Sequence, residues 1–202
     1  MMQSDHFQML GLERRFAIDP AELERRYLER SREVHPDRQA TRPAGERAAA
    51  AGEAMQLNLA YRTLKRDLPR AEHLLQLAGV RIGDNEPVQQ ALLMEILELR
   101  EELANARAAG DAAAIAQLEA AARKRERAEL DRLAALFAEF EAAPQDGGGE
   151  ALARLKDQVI LLRYLARYRE AFEADADESE AHGVTPRDLE SRSRGDRAGG
   201  AA

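Results

Sequence analysis

The sequence has no cysteine, and aromatic residues make up only 4% of its 202 residues. Without cysteine the chain forms no disulfides, zinc–thiolate sites or cysteine-ligated iron–sulfur clusters, and it has no cysteine nucleophile. β-Branched residues are also scarce, whereas alanine and leucine, which favour helices, are abundant. Each hydrophobic core must therefore be thin, and the composition predicts helical bundles rather than a wide sheet.

The sequence also lacks an excess of positive charge and any long apolar run. The net charge is −7 and the isoelectric point is near 5.3, which argues against nucleic acid as the main ligand because phosphate binding needs a concentrated basic surface. No apolar run approaches the roughly 20 residues of a membrane span. The start, MMQSDHFQMLGLERRF, does not resemble a signal peptide. We therefore expect a cytoplasmic protein.

Helix signals organise the N-terminal part of the chain. Residues 5–11, DHFQMLG, predict a short helical turn that ends at Gly11. The next helix is expected to begin after Asp19 as its N-cap, with Pro20 in the first helical position and Glu22 completing a capping box. One stripe of this helix carries Leu23, Tyr27, Ser31 and Val34.

A second long helix is expected over about residues 46–65, ended by Leu68 and Pro69 and followed by a short helix in RAEHLLQLAG. Its apolar stripe consists of Ala50, Ala54, Leu57, Tyr61 and Leu64. Because both long helices carry an apolar stripe, we expect them to pack as an antiparallel hairpin with VHPDR and its loop at one end.

The remainder predicts a three-helix bundle with helices over about 87–108, 111–143 and 150–175. The predicted organisation is all-α, with a first domain over 1–80, a linker over 81–86 and the bundle over 87–175. Residues 176–202 combine charge, glycine and serine without an apolar period, and are expected to form a disordered tail.

The stretch VHPDRQ, residues 34–39, stands where the first long helix must end, because the residue before a proline is disfavoured in the α region. His35 and Asp37 could form an acid–base pair, but no nucleophile pattern or glycine-rich phosphate loop accompanies them. One histidine and one aspartate also fall short of a metal-ligand set. Taken alone, HPD could be no more than a helix terminator.

The surroundings of HPD change its interpretation. A helix beginning DPAEL, the basic stretch RRYLERSREV, then HPDR, a loop and a helix ending NLAYRTLKRDLPRAEHLL together resemble the J-domain of the DnaJ class of co-chaperones. The resemblance implies that His35, Pro36 and Asp37 stimulate ATP hydrolysis by a partner heat-shock chaperone of the DnaK/HscA class. It further suggests Arg26, Arg30 and Arg38 as cations that dock on that chaperone.

The rest of the chain narrows this resemblance. LPRAEHLLQLAG after the J-domain and ALLMEILELREELAN at the start of the bundle are similar to the HscB type of J-protein, which serves iron–sulfur cluster assembly. This resemblance covers roughly residues 5–172. It implies a non-enzymatic adaptor without a cofactor, which binds an IscU-type scaffold protein and promotes cluster transfer.

The block LLMEILELREEL has two apolar stripes when placed on a helix. The first contains Leu92, Ile96, Leu99 and Leu103, and the second contains Leu93, Met94 and Leu97. A helix of a three-helix bundle needs one buried stripe, so the second is either a wider core face or an exposed partner surface.

The family resemblance assigns the second stripe to scaffold binding. The implied contacts are Leu93, Met94, Leu97, Glu98, Glu101 and the aromatic residue Tyr164 on the last helix. Asn105 stands where relatives often carry a further glutamate, which places that acidic contact in doubt. Two alternatives remain open at the level of sequence: a J-domain adaptor for a different client, and a plain helical interaction scaffold.

Overall fold

The computed structural model describes residues 5–34, 43–83, 86, 88, 90–142 and 148–181, with side chains described as far as Phe172. It confirms the all-α class, since every regular element within these ranges is a helix. The helices are α1 (His6–Leu10), α2 (Pro20–Glu33), α3 (Ala44–Lys65), α4 (Asp67–Leu77), α5 (Gln90–Ala108), α6 (Ala112–Ala142) and α7 (Gly148–Ala181).

The predicted capping residues Gly11 and Asp19 mark the end of α1 and the start of α2. Asp5 caps α1 by accepting from the backbone N–H groups of Phe7 and Gln8, and Gly11 ends the helix in the left-handed conformation with φ 66°. Asp19 caps α2 by accepting from the N–H of Ala21 at 3.0 Å. These bonds satisfy backbone groups that a helix terminus otherwise leaves unpaired.

The expected capping box of α2 does not form. Glu22 accepts hydrogen bonds from Arg25 at 2.7 Å and Arg26 at 2.8 Å instead of from the backbone of Asp19. Two guanidinium groups within one turn compete successfully for the carboxylate, because each adds the attraction of an opposite charge to its hydrogen bond and a neutral amide does not.

The hairpin of α2 and α3 is built on the predicted stripes. Its core also includes α1, and the buried residues are Phe7, Leu10, Leu23, Val34, Leu57, Ala60 and Leu64. Tyr27 of α2 stacks on Tyr61 of α3 with ring centroids 4.3 Å apart, and its hydroxyl donates to Asn58 Oδ1 at 2.6 Å. The aromatic pair and this hydrogen bond fix how the two helices meet.

The break between α3 and α4 differs from the prediction. It is the single extended residue Arg66, so Leu68 and Pro69 do not end α3 but lie in the first turn of α4. Proline is tolerated there because an N–H in the first turn has no partner within the helix.

The last helix is longer than predicted. It runs from Gly148 to Ala181, so residues 176–181 are helical rather than part of a disordered tail. The segment is rich in alanine and glutamate, which favour helix even without an apolar stripe. The expectation for 182–202 lies outside the described residues.

The hairpin region and the bundle share one hydrophobic cluster. Phe16, Ala71 and Leu75 from the N-terminal region pack with Leu133, Phe137, Leu155, Val159 and Leu162 from α6 and α7. The ring of Phe16 stacks on Phe137 at 4.6 Å, and the Phe16 N–H donates to Glu141 at 2.7 Å. The loop between α1 and α2 therefore attaches the hairpin region to the bundle.

Polar contacts support this attachment beside α7. Arg163 donates to Glu72 of α4 at 2.5 Å and to the carbonyl oxygen of Gly83 at 2.8 Å. Lys156 pairs with Glu86 at 3.0 Å. The segment that follows α4 is thus tied along α7 by two cations.

We expect Phe16→Leu to lower the free energy of unfolding by about 1–2 kcal/mol, because the ring stack is lost and a small gap remains. Urea unfolding followed by circular dichroism measures the change. Phe140→Leu is the matched control, since Phe140 is half-buried against the same cluster but has no ring-stacking partner within the described part of the chain. Equal losses in the two variants would show that the stack contributes nothing.

A pair of histidines, buried His73 and half-buried His6, joins α1 to α4. The rings of His6 and His73 stack with centroids 4.2 Å apart, and the backbone N–H of His6 donates to His73 Nε2 at 3.1 Å. Burial and then the nearby His6 lower the pKa of His73 below its ordinary value of 6.5, and burial also lowers the pKa of His6. Folding therefore favours the neutral form of both imidazoles.

We expect the folded protein to lose stability as the pH falls below about 6.5, because the unfolded chain then binds more protons at these histidines than the folded chain. The thermal unfolding midpoint should drop between pH 7.5 and 5.5 by less in His73→Gln than in the unchanged chain, because glutamine does not take up a proton in this range. Glutamine can still accept the His6 N–H. Identical pH dependence in the two proteins would exclude His73 as a source of it.

Candidate functional site

The structure describes part of the predicted chaperone-docking region. Arg26 and Arg30 lie on α2 with substantially exposed side chains. The other predicted residues, His35, Pro36, Asp37 and Arg38, lie outside the described residues. α2 ends at Glu33, two residues before His35, so Arg26 and Arg30 precede the HPD motif by nine and five residues.

Three of the four arginines of α2 are held in ion pairs along the helix. Arg26 pairs with Glu22 at 2.8 Å and Arg30 with Glu33 at 3.0 Å, while Arg25 joins Glu22 to Glu29. Hydrogen bonds from Arg25 and then Arg26 lower the pKa of Glu22. These pairs are exposed and individually weak, so an acidic surface of a partner could replace the glutamates.

The two apolar stripes of α5 have different environments. Ile96 and Leu103 are buried, and Leu92 and Leu99 are partly buried, so the first stripe faces the bundle. The second stripe faces outward: Leu93, Met94 and Leu97 have relative exposures of 42%, 50% and 50%. We call these three residues the exposed stripe. The alternative of a wider core face is thereby excluded for them.

Carboxylates border the exposed stripe. Glu98 and Glu101, which we call the acidic rim, are both exposed on α5, as is Asn105 one turn further along. Glu95 does not belong to this rim, because both its oxygens are bound by Arg125 of α6. That bidentate pair joins the N-terminal half of α5 to α6, so the charge of Glu95 is already paired within the bundle.

Two contacts show which residues of α7 lie beside which residues of α5. Leu92 and Leu161 line the same groove, and the hydroxyl of Tyr168 donates to the carbonyl oxygen of Leu99 at 3.3 Å. Tyr164 lies one turn before Tyr168, between the levels of Leu92 and Leu99 along the helix axis. This is the part of α5 that carries the exposed stripe. It is half-buried, with the Arg167 guanidinium 5.8 Å from its ring centroid.

The chemistry of these surfaces is that of recognition. An apolar stripe beside carboxylates matches a protein-binding patch with an apolar centre and a polar border, and methionine adapts readily to a partner's shape. Within the described ranges, no three histidine, aspartate or glutamate side chains are grouped so as to hold a metal ion. None of the described helices has the length and apolar character needed to cross a membrane.

Two residues with a role in the structure were not predicted from the sequence: Phe16, which attaches the hairpin region to the bundle, and Arg100 of α5. Phe16 lies in a loop, where a single phenylalanine carries no periodic signal. Arg100 lies between the two leucine-rich turns of α5. Its lack of a carboxylate three or four positions away could be read from the sequence, but its exposure could not.

Comparison with known proteins finds a family described as "HSCB C-terminal oligomerisation domain", which matches residues 88–173. The chain is 35% identical to the co-chaperone protein HscB homolog of Burkholderia multivorans, over 82% of this chain and 91% of that protein. It is 41% identical to the corresponding homolog of Aromatoleum aromaticum, over 65% of this chain and 76% of the relative.

Two solved structures are similar to this fold. Chaperone HscB from Vibrio cholerae has a TM-score of 0.72 and 30% identity, covering 87% of this chain and 99% of that one. Human co-chaperone protein HscB has a TM-score of 0.75 and 25% identity, covering 87% of this chain and 84% of that one.

Proposed function

Because this chain belongs to the HscB family of J-domain co-chaperones in iron–sulfur cluster assembly, we propose that it delivers an IscU-type scaffold protein to a heat-shock chaperone of the DnaK/HscA class. In this proposal the J-domain stimulates the chaperone's ATPase through HPD. Hydrolysis then drives capture of the scaffold, which promotes cluster transfer.

The observation that carries the scaffold-binding part is the exposed stripe. Leu93, Met94 and Leu97 remain exposed although another apolar stripe of the same helix already faces the bundle. We assign them, with the acidic rim and Tyr164, to the scaffold interface. Apolar burial there would supply binding free energy, and the glutamates would select a basic border on the scaffold.

The chaperone-binding part of the proposal rests on α2 and on the HPD segment that follows it. Arg26, which is half-buried, and Arg30, which is exposed, lie on the helix that leads into His35, Pro36 and Asp37. We assign these residues and Arg38 to the chaperone. The rigid proline would hold its flanking polar side chains in fixed directions, while the cations steer the motif toward an acidic surface.

In this proposal each predicted domain has its own partner. The J-domain over 1–80 binds the chaperone, the bundle binds the scaffold protein, and residues 81–86 form the linker between them. The chain acts by recognition, without catalysing a reaction of its own and without a cofactor. The glutamates of the acidic rim contact protein and do not bind iron. The proposed compartment is the cytoplasm.

Isothermal titration of the chain with the scaffold protein of the same organism tests the scaffold-binding part. We expect a one-to-one complex with a negative heat-capacity change, the signature of apolar burial. Failure to bind, with the scaffold folded and tested both with and without its cluster, would exclude the proposal and leave a J-domain adaptor for a different client.

A further inference from the structure

Arg100 lies on the same side of α5 as the exposed stripe. It follows Leu97 by three residues and Leu93 by seven, so these three side chains form a row along the helix. Arg100 is itself exposed. Its neighbour in sequence, Glu101, belongs to the acidic rim, so this surface carries one cation at the end of the apolar row in addition to the carboxylates.

Arg100 has no ion pair or hydrogen bond with any residue that the structure describes. The positions three and four residues away on either side carry no carboxylate, being Ile96, Leu97, Leu103 and Ala104. Most other cations of the bundle are paired: Arg123, Arg125, Arg127, Arg154, Lys156, Arg163 and Arg169. The helix thus leaves the charge of Arg100 available to a second molecule.

An available cation inside an apolar contact surface restricts what can bind there. A partner that covered Leu93 and Leu97 would also remove water from the Arg100 guanidinium, and this is costly unless the partner supplies an anion. The planar guanidinium is suited to a carboxylate, which it binds through two parallel hydrogen bonds.

We propose that Arg100 determines specificity at the scaffold-binding surface by pairing with a carboxylate side chain of the scaffold protein. This inference rests on the proposed function. The scaffold's contact patch then has an apolar centre for the exposed stripe, basic groups opposite the acidic rim, and one aspartate or glutamate opposite Arg100. Because these charges differ in sign, they fix the orientation in which the two proteins meet.

Titration of the scaffold with Arg100→Gln and Arg100→Glu tests the pairing. Loss of one charge-assisted contact should weaken binding about tenfold, and charge reversal should weaken it further. Arg132→Glu is the matched control, because Arg132 is an exposed arginine of α6 that also has no ion pair within the described ranges. It should bind as the unchanged chain does.

Charge exchange identifies the partner group. Each exposed aspartate or glutamate of the scaffold is changed in turn to arginine, and one such variant should bind Arg100→Glu better than it binds the unchanged chain. Binding of Arg100→Glu with unchanged affinity would overturn the inference, provided that Leu97→Ala weakens binding. If Leu97→Ala also bound normally, the proposed scaffold-binding surface itself would be wrong.

Discussion

The His35→Gln variant is expected to reduce the ATPase rate of the partner chaperone to its basal value while binding the scaffold with full affinity. Glutamine keeps the size and polarity of the side chain but removes the imidazole that the HPD resemblance identifies as the stimulating group. The proposed scaffold surface lies on α5 and α7, so the affinity for the scaffold should not change. Steady-state phosphate release by the chaperone and titration with the scaffold measure the two effects separately.

His182→Gln is the matched control for this variant, because it makes the same chemical change in the C-terminal segment. It should stimulate the chaperone fully. Stimulation by His35→Gln at the level of the unchanged chain would show that HPD is only the terminator of α2. Loss of both activities, with a lowered unfolding temperature, would instead show that His35 supports the fold.

The Leu93→Ala/Leu97→Ala variant is expected to bind the scaffold about 100-fold more weakly, because each truncation removes about 1–2 kcal/mol of apolar contact. The two side chains are 42% and 50% exposed in the free chain. Their removal should therefore leave the unfolding temperature nearly unchanged. Titration calorimetry and thermal unfolding on the same samples measure both quantities.

Met55→Ala/Leu59→Ala supplies a control with the same spacing. Met55 and Leu59 are also four residues apart on a helix, α3, and are 72% and 50% exposed. This variant should bind the scaffold normally. Equal weakening in both variants would indicate a non-specific response to loss of exposed apolar surface, and no weakening in either would assign the exposed stripe to another client.

Local signals predicted much of the fold. Gly11 and Asp19 set helix ends through backbone groups within a few residues, and the stripe of Leu23, Tyr27 and Val34 reports burial through its spacing alone. The same reasoning separated the two stripes of α5. It could not decide whether Leu93, Met94 and Leu97 were covered, because that depends on where α6 and α7 lie.

Features that depend on distant residues were missed. Phe16 meets Phe137 and Glu141 across most of the chain, and nothing near Phe16 in the sequence indicates this contact. Pro69 was expected to end a helix, because a proline rule does not show whether a new helix has already begun at Asp67. The exposure of Arg100 likewise followed from the structure, although its lack of a nearby carboxylate was visible in the sequence.

Single-turnover ATP hydrolysis by the cognate chaperone, with and without the scaffold, tests the central claim of coupling most directly. We predict that the unchanged chain accelerates hydrolysis and that the scaffold increases this acceleration further. His35→Gln should abolish both effects, whereas Leu93→Ala/Leu97→Ala should retain only the scaffold-independent part. Full scaffold-dependent acceleration by the leucine variant would contradict the account, as would ATP hydrolysis by the chain in the absence of the chaperone.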